Sequence, residues 1–108
     1  MVNKKRLIKL VQQLIKIDSQ NPPGDESRIA GLVKDYLKTL KIKAKIYEFK
    51  KRRSNVVAII EGMNKKYSLL VSPHLDTVPS GGNWHFHPFS GRIYKGRIYG
   101  LGDRKSVV

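Results

Sequence analysis

No cysteine occurs in the 108 residues. Disulfides and thiolate metal ligands are therefore excluded, and any metal bound here must use His, Asp or Glu. No apolar run is long enough to cross a bilayer. The opening Lys4-Lys5-Arg6 has the basic character of a signal peptide. Lys9, Gln12, Gln13 and Lys16 interrupt the apolar stretch that would have to follow. The chain is read as cytoplasmic, with no membrane partner. Acidic residues are scarce, 8 against 22 Lys and Arg, for a formal net charge of +14. An excess of that size suits a nucleic-acid partner when the charges gather on one face. Here they are scattered. Only Lys50-Lys51-Arg52-Arg53 forms a dense block, between two strand-like stretches, where a solvated loop is expected. No nucleic-acid partner is expected.

What is present suits a soluble globular chain: 40% apolar and 28% charged residues. The length fits one small domain or a piece of a larger one. A chain this short buries only ~60–70% of its unfolded surface, so a thin core is expected.

Leu7, Ile8, Val11, Leu14 and Ile15 recur at helical spacing and predict an amphipathic helix over 4–17, with Asn3 as its N-cap. Ser19 to Gly24 breaks it with two prolines and a glycine. Ile29, Leu32, Val33, Tyr36, Leu37 and Leu40 form one stripe of a second helix, with Asp25 as its cap. Both stripes are read as core faces. Residues 43–49 read as extended and partly alternating. Asn55 to Ile60 is β-branched and continuous, as in a strand covered on both faces, and Tyr67 to Ser72 reads as a second buried strand. Helices followed by buried strands argue for an α/β layer sheet. A loop is expected over 77–89. Gly91-Arg92-Ile93-Tyr94 and Gly96-Arg97-Ile98-Tyr99 then repeat around Lys95-Gly96, the pattern of a short β-hairpin.

Chemistry points to His74-Leu75-Asp76, which follows the second strand-like run. In α/β sheets ligand sites gather at the carboxyl ends of strands. In extended geometry residues 74 and 76 face the same side. A histidine can offer one ring nitrogen to a metal and donate its other N–H to a carboxylate, which fixes the tautomer. The same pair also serves as an ordinary loop hydrogen bond. His85 and His87 are read as loop residues. Gly100-Leu101-Gly102 lacks the further glycine and the Lys-Ser/Thr of a phosphate loop.

An ordered signature surrounds the pair. It comprises Pro73-His74-Leu75-Asp76-Thr77-Val78-Pro79, Asn83-Trp84, Pro88-Phe89-Ser90-Gly91 and Gly96-Arg97-Ile98-Tyr99-Gly100-Leu101-Gly102. Together with Ser19 to Gly24 and the second helix, it resembles the family that holds acetylornithine deacetylase, succinyl-diaminopimelate desuccinylase, aminoacylase and related carboxypeptidases. The resemblance runs from about Leu7 to Gly102. It implies an α/β fold: an incomplete catalytic domain of the di-zinc exopeptidase type, two helices followed by sheet strands and a short hairpin. It implies two zinc ions, with cobalt as an alternative, and cleavage of the amide bond of an N-acyl amino acid or small peptide. It also implies a homodimer formed through an inserted domain. On this resemblance His74 ligates one metal and Asp76 orients that histidine. The other ligands and the general base are expected later in the chain, so the 108 residues by themselves are read as inactive. The rival readings are a small basic nucleic-acid-binding module and a decayed remnant without activity.

The pattern breaks after Gly102. The family continues with two small residues before its metal-bridging aspartate, and Asp103 comes two residues early. On a loop that is a displacement of ~7 Å, far beyond what a metal site tolerates, so Asp103 is not assigned as a ligand. The codons GAT CGG AAG AGC GTC GTG of a widely used sequencing adapter translate to Asp103 through Val108. Residues 1–102 are therefore expected to be the amino-terminal part of the hydrolase domain, and residues 103–108 adapter read-through.

Overall fold

A computed structural model of the chain describes residues 1–102. The expectations for Asp103 and for residues 103–108 lie outside the described residues.

Helix α1 spans Lys4–Ile15. Asn3 caps it, its side-chain oxygen accepting from the Arg6 amide at 3.0 Å. Beyond the helix, the Asp18 carboxylate accepts from the Gln20 amide at 3.1 Å, a local bond that competes with helix continuation. Helix α2 spans Ser27–Thr39. The expected cap is only partly realised. Asp25 accepts from the Ser27 amide at 3.2 Å, but the residue at the cap position is Glu26, whose side chain caps nothing. Glu26 is buried and its carboxylate instead accepts a hydrogen bond from Arg53 Nε at 2.7 Å. At the other end the Ile42 and Lys41 amides reach back to the Leu37 and Lys38 carbonyls, with Lys41 left-handed at φ 60°. That is a Schellman closure with lysine where glycine is usual.

Strands β1 (Ala44–Lys50) and β2 (Arg53–Ala58) form an antiparallel hairpin, with Ile46 opposite Val56 and a register shift between Glu48 and Lys50. Helix α2 packs on both strands. Ile29 and Ala30 on α2 are buried, as is Ser54 on β2, while Tyr47, Phe49 and Val57 on the hairpin are exposed. The basic block is not wholly a solvated loop. Lys51 and Arg52 form the turn, whereas Arg53 opens β2 and is held by Glu26. A Cβ at Gly24, whose φ is 81°, would stand 2.6 Å from the Arg53 guanidinium, so this position requires glycine.

The repeated tetrapeptides form strands β3 (Arg92–Tyr94) and β4 (Arg97–Tyr99). Lys95 and Gly96 both have positive φ, as the tight turns that match strand twist require. Helix α1 lies against this end of the chain. The Gln12 amide donates to the Gly91 carbonyl at 2.8 Å, and a Cβ on Gly100 would fall 2.2 Å from Ile15 Cγ2. Ile15 and Leu101 are buried there.

Two expectations are corrected. The run 55–60 is not covered on both faces: β2 ends at Ala58, and Ile59 is 79% exposed. Tyr67 to Ser72 is not a strand, and Leu69 is 89% exposed. A buried strand needs a neighbour along its edge and layers over its faces. Among the described residues β2 pairs only with β1, and no strand lies beside residues 67–72. The architecture is α/β with two helices and two small antiparallel sheets, rather than one layered sheet.

Candidate functional site

His74 and Asp76 do not sit at the mouth of a buried strand. They are held instead by the polar segment after α1, which runs parallel to them. The Thr77 amide donates to the Ser19 carbonyl at 3.0 Å, and the Asn21 amide donates to the Thr77 carbonyl at 2.8 Å. The buried Ser19 hydroxyl donates to the Leu75 carbonyl at 3.0 Å. Further along, the Gln20 side-chain oxygen accepts from the Ser80 amide at 2.7 Å. The loop carrying the pair is thus stitched at its backbone before its side chains are considered.

The two side chains do meet, as same-side geometry predicts. His74 Nδ1 lies 3.2 Å from Asp76 Oδ1 and 2.6 Å from the Asp76 backbone oxygen. With its proton on Nδ1, the ring donates to Asp76 and keeps the Nε2 lone pair available. The His74 side chain is 69% exposed, so that nitrogen is open to a ligand from solvent. Asn21 Nδ2 donates to Asp76 Oδ2 at 3.0 Å. That donation, assisted by the nearby His74 and opposed by partial burial, holds the Asp76 carboxyl below the usual aspartate range. Asp76 therefore carries its charge at neutral pH.

His85 and His87 lie in the loop before β3. His87 Nδ1 accepts from the Phe89 amide at 3.2 Å. His85 lines an open groove of about 510 Å³ with Phe86, Arg92, Tyr94 and Tyr99, in which neither His74 nor Asp76 takes part. Gly100 to Gly102 serves packing: Gly100 lies on Ile15, Leu101 is buried, and the Leu101 amide donates to the Pro88 carbonyl at 2.7 Å. No three His, Asp or Glu side chains come together to hold a metal among the described residues. The donor chemistry at His74 suits a metal, since a neutral imidazole backed by a carboxylate is a strong ligand. One ligand is fewer than the three or four that zinc requires. No helix among the described residues is long and apolar enough to cross a membrane.

Asn21 and Ser19 were not picked out as site residues by their sequence spacing. Both fall in the Ser19 to Gly24 segment that takes part in the family resemblance, but a short polar run ahead of two prolines assigns neither to the site.

No family model matches the chain. Curated proteins do. It is 38% identical over 101 residues to a succinyl-diaminopimelate desuccinylase from Blochmanniella floridana, covering 90% of this chain and 26% of that protein. It is 32% identical over 116 aligned residues to the protein of the same name from Orientia tsutsugamushi (strain Boryong), covering all of this chain and 28% of that one. A third, from Sulfurovum sp. (strain NBC37-1), is 31% identical over 108 residues, covering 94% of this chain and 27% of the relative.

Proposed function

We propose, from the premise that this chain is a relative of the succinyl-diaminopimelate desuccinylases spanning about a quarter of their length, that it carries one ligand corner of a metal-dependent amidohydrolase. The bond cleaved would be the amide of an N-acyl amino acid or small peptide. His74 would hold the metal through Nε2, and Asp76 would fix the ring by accepting from Nδ1. A bound divalent ion, zinc or cobalt, supplies Lewis acidity toward the amide carbonyl and lowers the pKa of a coordinated water. The part that belongs to this chain is orientation. The backbone and carboxylate oxygens of Asp76 together favour the tautomer with its lone pair on Nε2, and the carboxylate raises the basicity of that nitrogen.

The observation that supports this reading is the contact between His74 Nδ1 and Asp76, with the ring otherwise exposed. The described residues provide one ligand, so the remaining ligands and the general base are assigned to the other three quarters of a desuccinylase-length protein.

The test begins with long-read sequencing across the codon for Gly102, followed by expression of whatever reading frame is found. The expected product hydrolyses N-succinyl or N-acetyl amino acids, loses that activity to a chelator and regains it with zinc or cobalt. His74→Ala is expected to abolish hydrolysis. Asp76→Asn is expected to lower metal affinity or activity about 10–100-fold. Undiminished hydrolysis in His74→Ala would overturn the assignment.

A further inference from the structure

We infer that Asn21 is a positioning residue: its side-chain amide clamps the Asp76 carboxylate in the rotamer that sets Oδ1 against His74 Nδ1, as a second and charged acceptor beside the Asp76 backbone oxygen. This rests on reading Asp76 as the residue that orients His74. Three observations carry it. Asn21 Nδ2 is 3.0 Å from Asp76 Oδ2, while the other carboxylate oxygen, Oδ1, is the one 3.2 Å from His74 Nδ1. The two oxygens are thus divided between two partners, and the amide fixes the rotation that the ring then reads. The Asn21 backbone cannot drift from this position, because its own amide donates to the Thr77 carbonyl at 2.8 Å. Lastly, the clamp is neutral. An arginine or lysine here would also hold Asp76, but its charge would compete with the imidazole for the carboxylate. An asparagine amide directs the carboxylate and leaves its negative charge for the ring.

A carboxylate at position 21 should break the clamp. At a pH high enough to ionise both carboxyls, Asn21→Asp keeps the shape, removes both amide protons and sets two like charges about 3 Å apart, which drives them from each other. Without the carboxylate the ring keeps only the Asp76 backbone oxygen as acceptor for Nδ1–H, at 2.6 Å, and the share of the tautomer ordinarily favoured in water, with its proton on Nε2, rises. Nitrogen-15 long-range spectra of the 108-residue chain without metal distinguish the two tautomers. His85→Gln and His87→Gln variants assign the His74 signals.

The unsubstituted chain is expected to show His74 mainly with Nδ1 protonated. Asn21→Asp is expected to shift the tautomer ratio toward Nε2–H on the order of tenfold, the loss of about one hydrogen bond to a charged group. The amide signals of β1 and β2 should stay in place. If Asn21→Asp does not fold, Asn21→Ser, whose hydroxyl is too short to span the gap, is expected to give the same shift. A tautomer unchanged in a folded variant overturns the role of Asn21 alone. An Nε2–H majority in the unsubstituted chain overturns the reading of Asp76 as orienter, and this inference with it.

Discussion

Asp25 shows how one side chain ties the entry of a helix to pH. Its carboxylate accepts from both the hydroxyl and the amide of Ser27, with Arg52 and Arg28 nearby. The Ser27 hydroxyl is the main reason its pKa lies below the ordinary aspartate value; desolvation is the next influence and opposes it, and the Ser27 amide and the two arginines add to the lowering. A carboxyl whose folded pKa is depressed stabilises the fold above its unfolded value. That stabilisation is lost as pH falls through the folded value. Carboxyl chemical shifts followed by NMR from pH 7 downward are expected to give Asp25 a midpoint below the ordinary value of about 3.9. Ser27→Ala should raise it, and the first turn of α2 should lose amide protection in the same acidic window. A midpoint at or above 3.9 would dismiss the hydroxyl as its cause.

Elements divide into those that stand on neighbours in sequence and those that do not. Helices α1 and α2 and the β3–β4 hairpin were legible because their signals are local. These are the three- and four-residue apolar spacing, the asparagine before Lys4, and a Lys-Gly turn between two copies of Arg-Ile-Tyr. The run at 67–72 has the residues of a strand and none of the pairing, because pairing depends on distant chain. His74 and Asp76 were legible for the same local reason, being two apart. Asn21 was not, since its bond to Asp76 spans 55 residues. Apart from the Lys66 amide on the Asn64 side chain, no amide hydrogen bond among the described residues holds residues 59–72 in place. Hydrogen exchange is expected to proceed there at close to unstructured rates, while β1, β2 and the middle of α2 stay protected. Slow exchange across 67–72 would mean that the run has found a partner strand.

The whole molecule is larger than its length suggests. Its Cα radius of gyration is 15.5 Å, whereas a compact chain of this length has about 13 Å. Among the described residues the buried apolar side chains are Ile15, Ile29, Ala30 and Leu101, while Ile59, Ile60, Leu69, Leu70 and Val71 face solvent. Heating is expected to give a broad transition, and a hydrophobic dye such as anilinonaphthalene sulfonate should brighten on the undenatured chain. The same signal in high salt would separate apolar binding from simple attraction to a chain of charge +14. A sharp transition without dye binding would show a closed core. The seam between Ser19–Asn21 and Leu75–Thr77 also sets an order of events. Bringing ends 55 residues apart together costs a flexible polymer roughly 3–4 kcal/mol in the length-dependent part of its closure entropy. A ribosome adding about 5–20 residues per second needs several seconds to cover that distance. Helix α1 and its polar tail are therefore made well before the segment they hold. The histidine acquires its orientation only when the second half of the seam emerges to meet a first half already waiting.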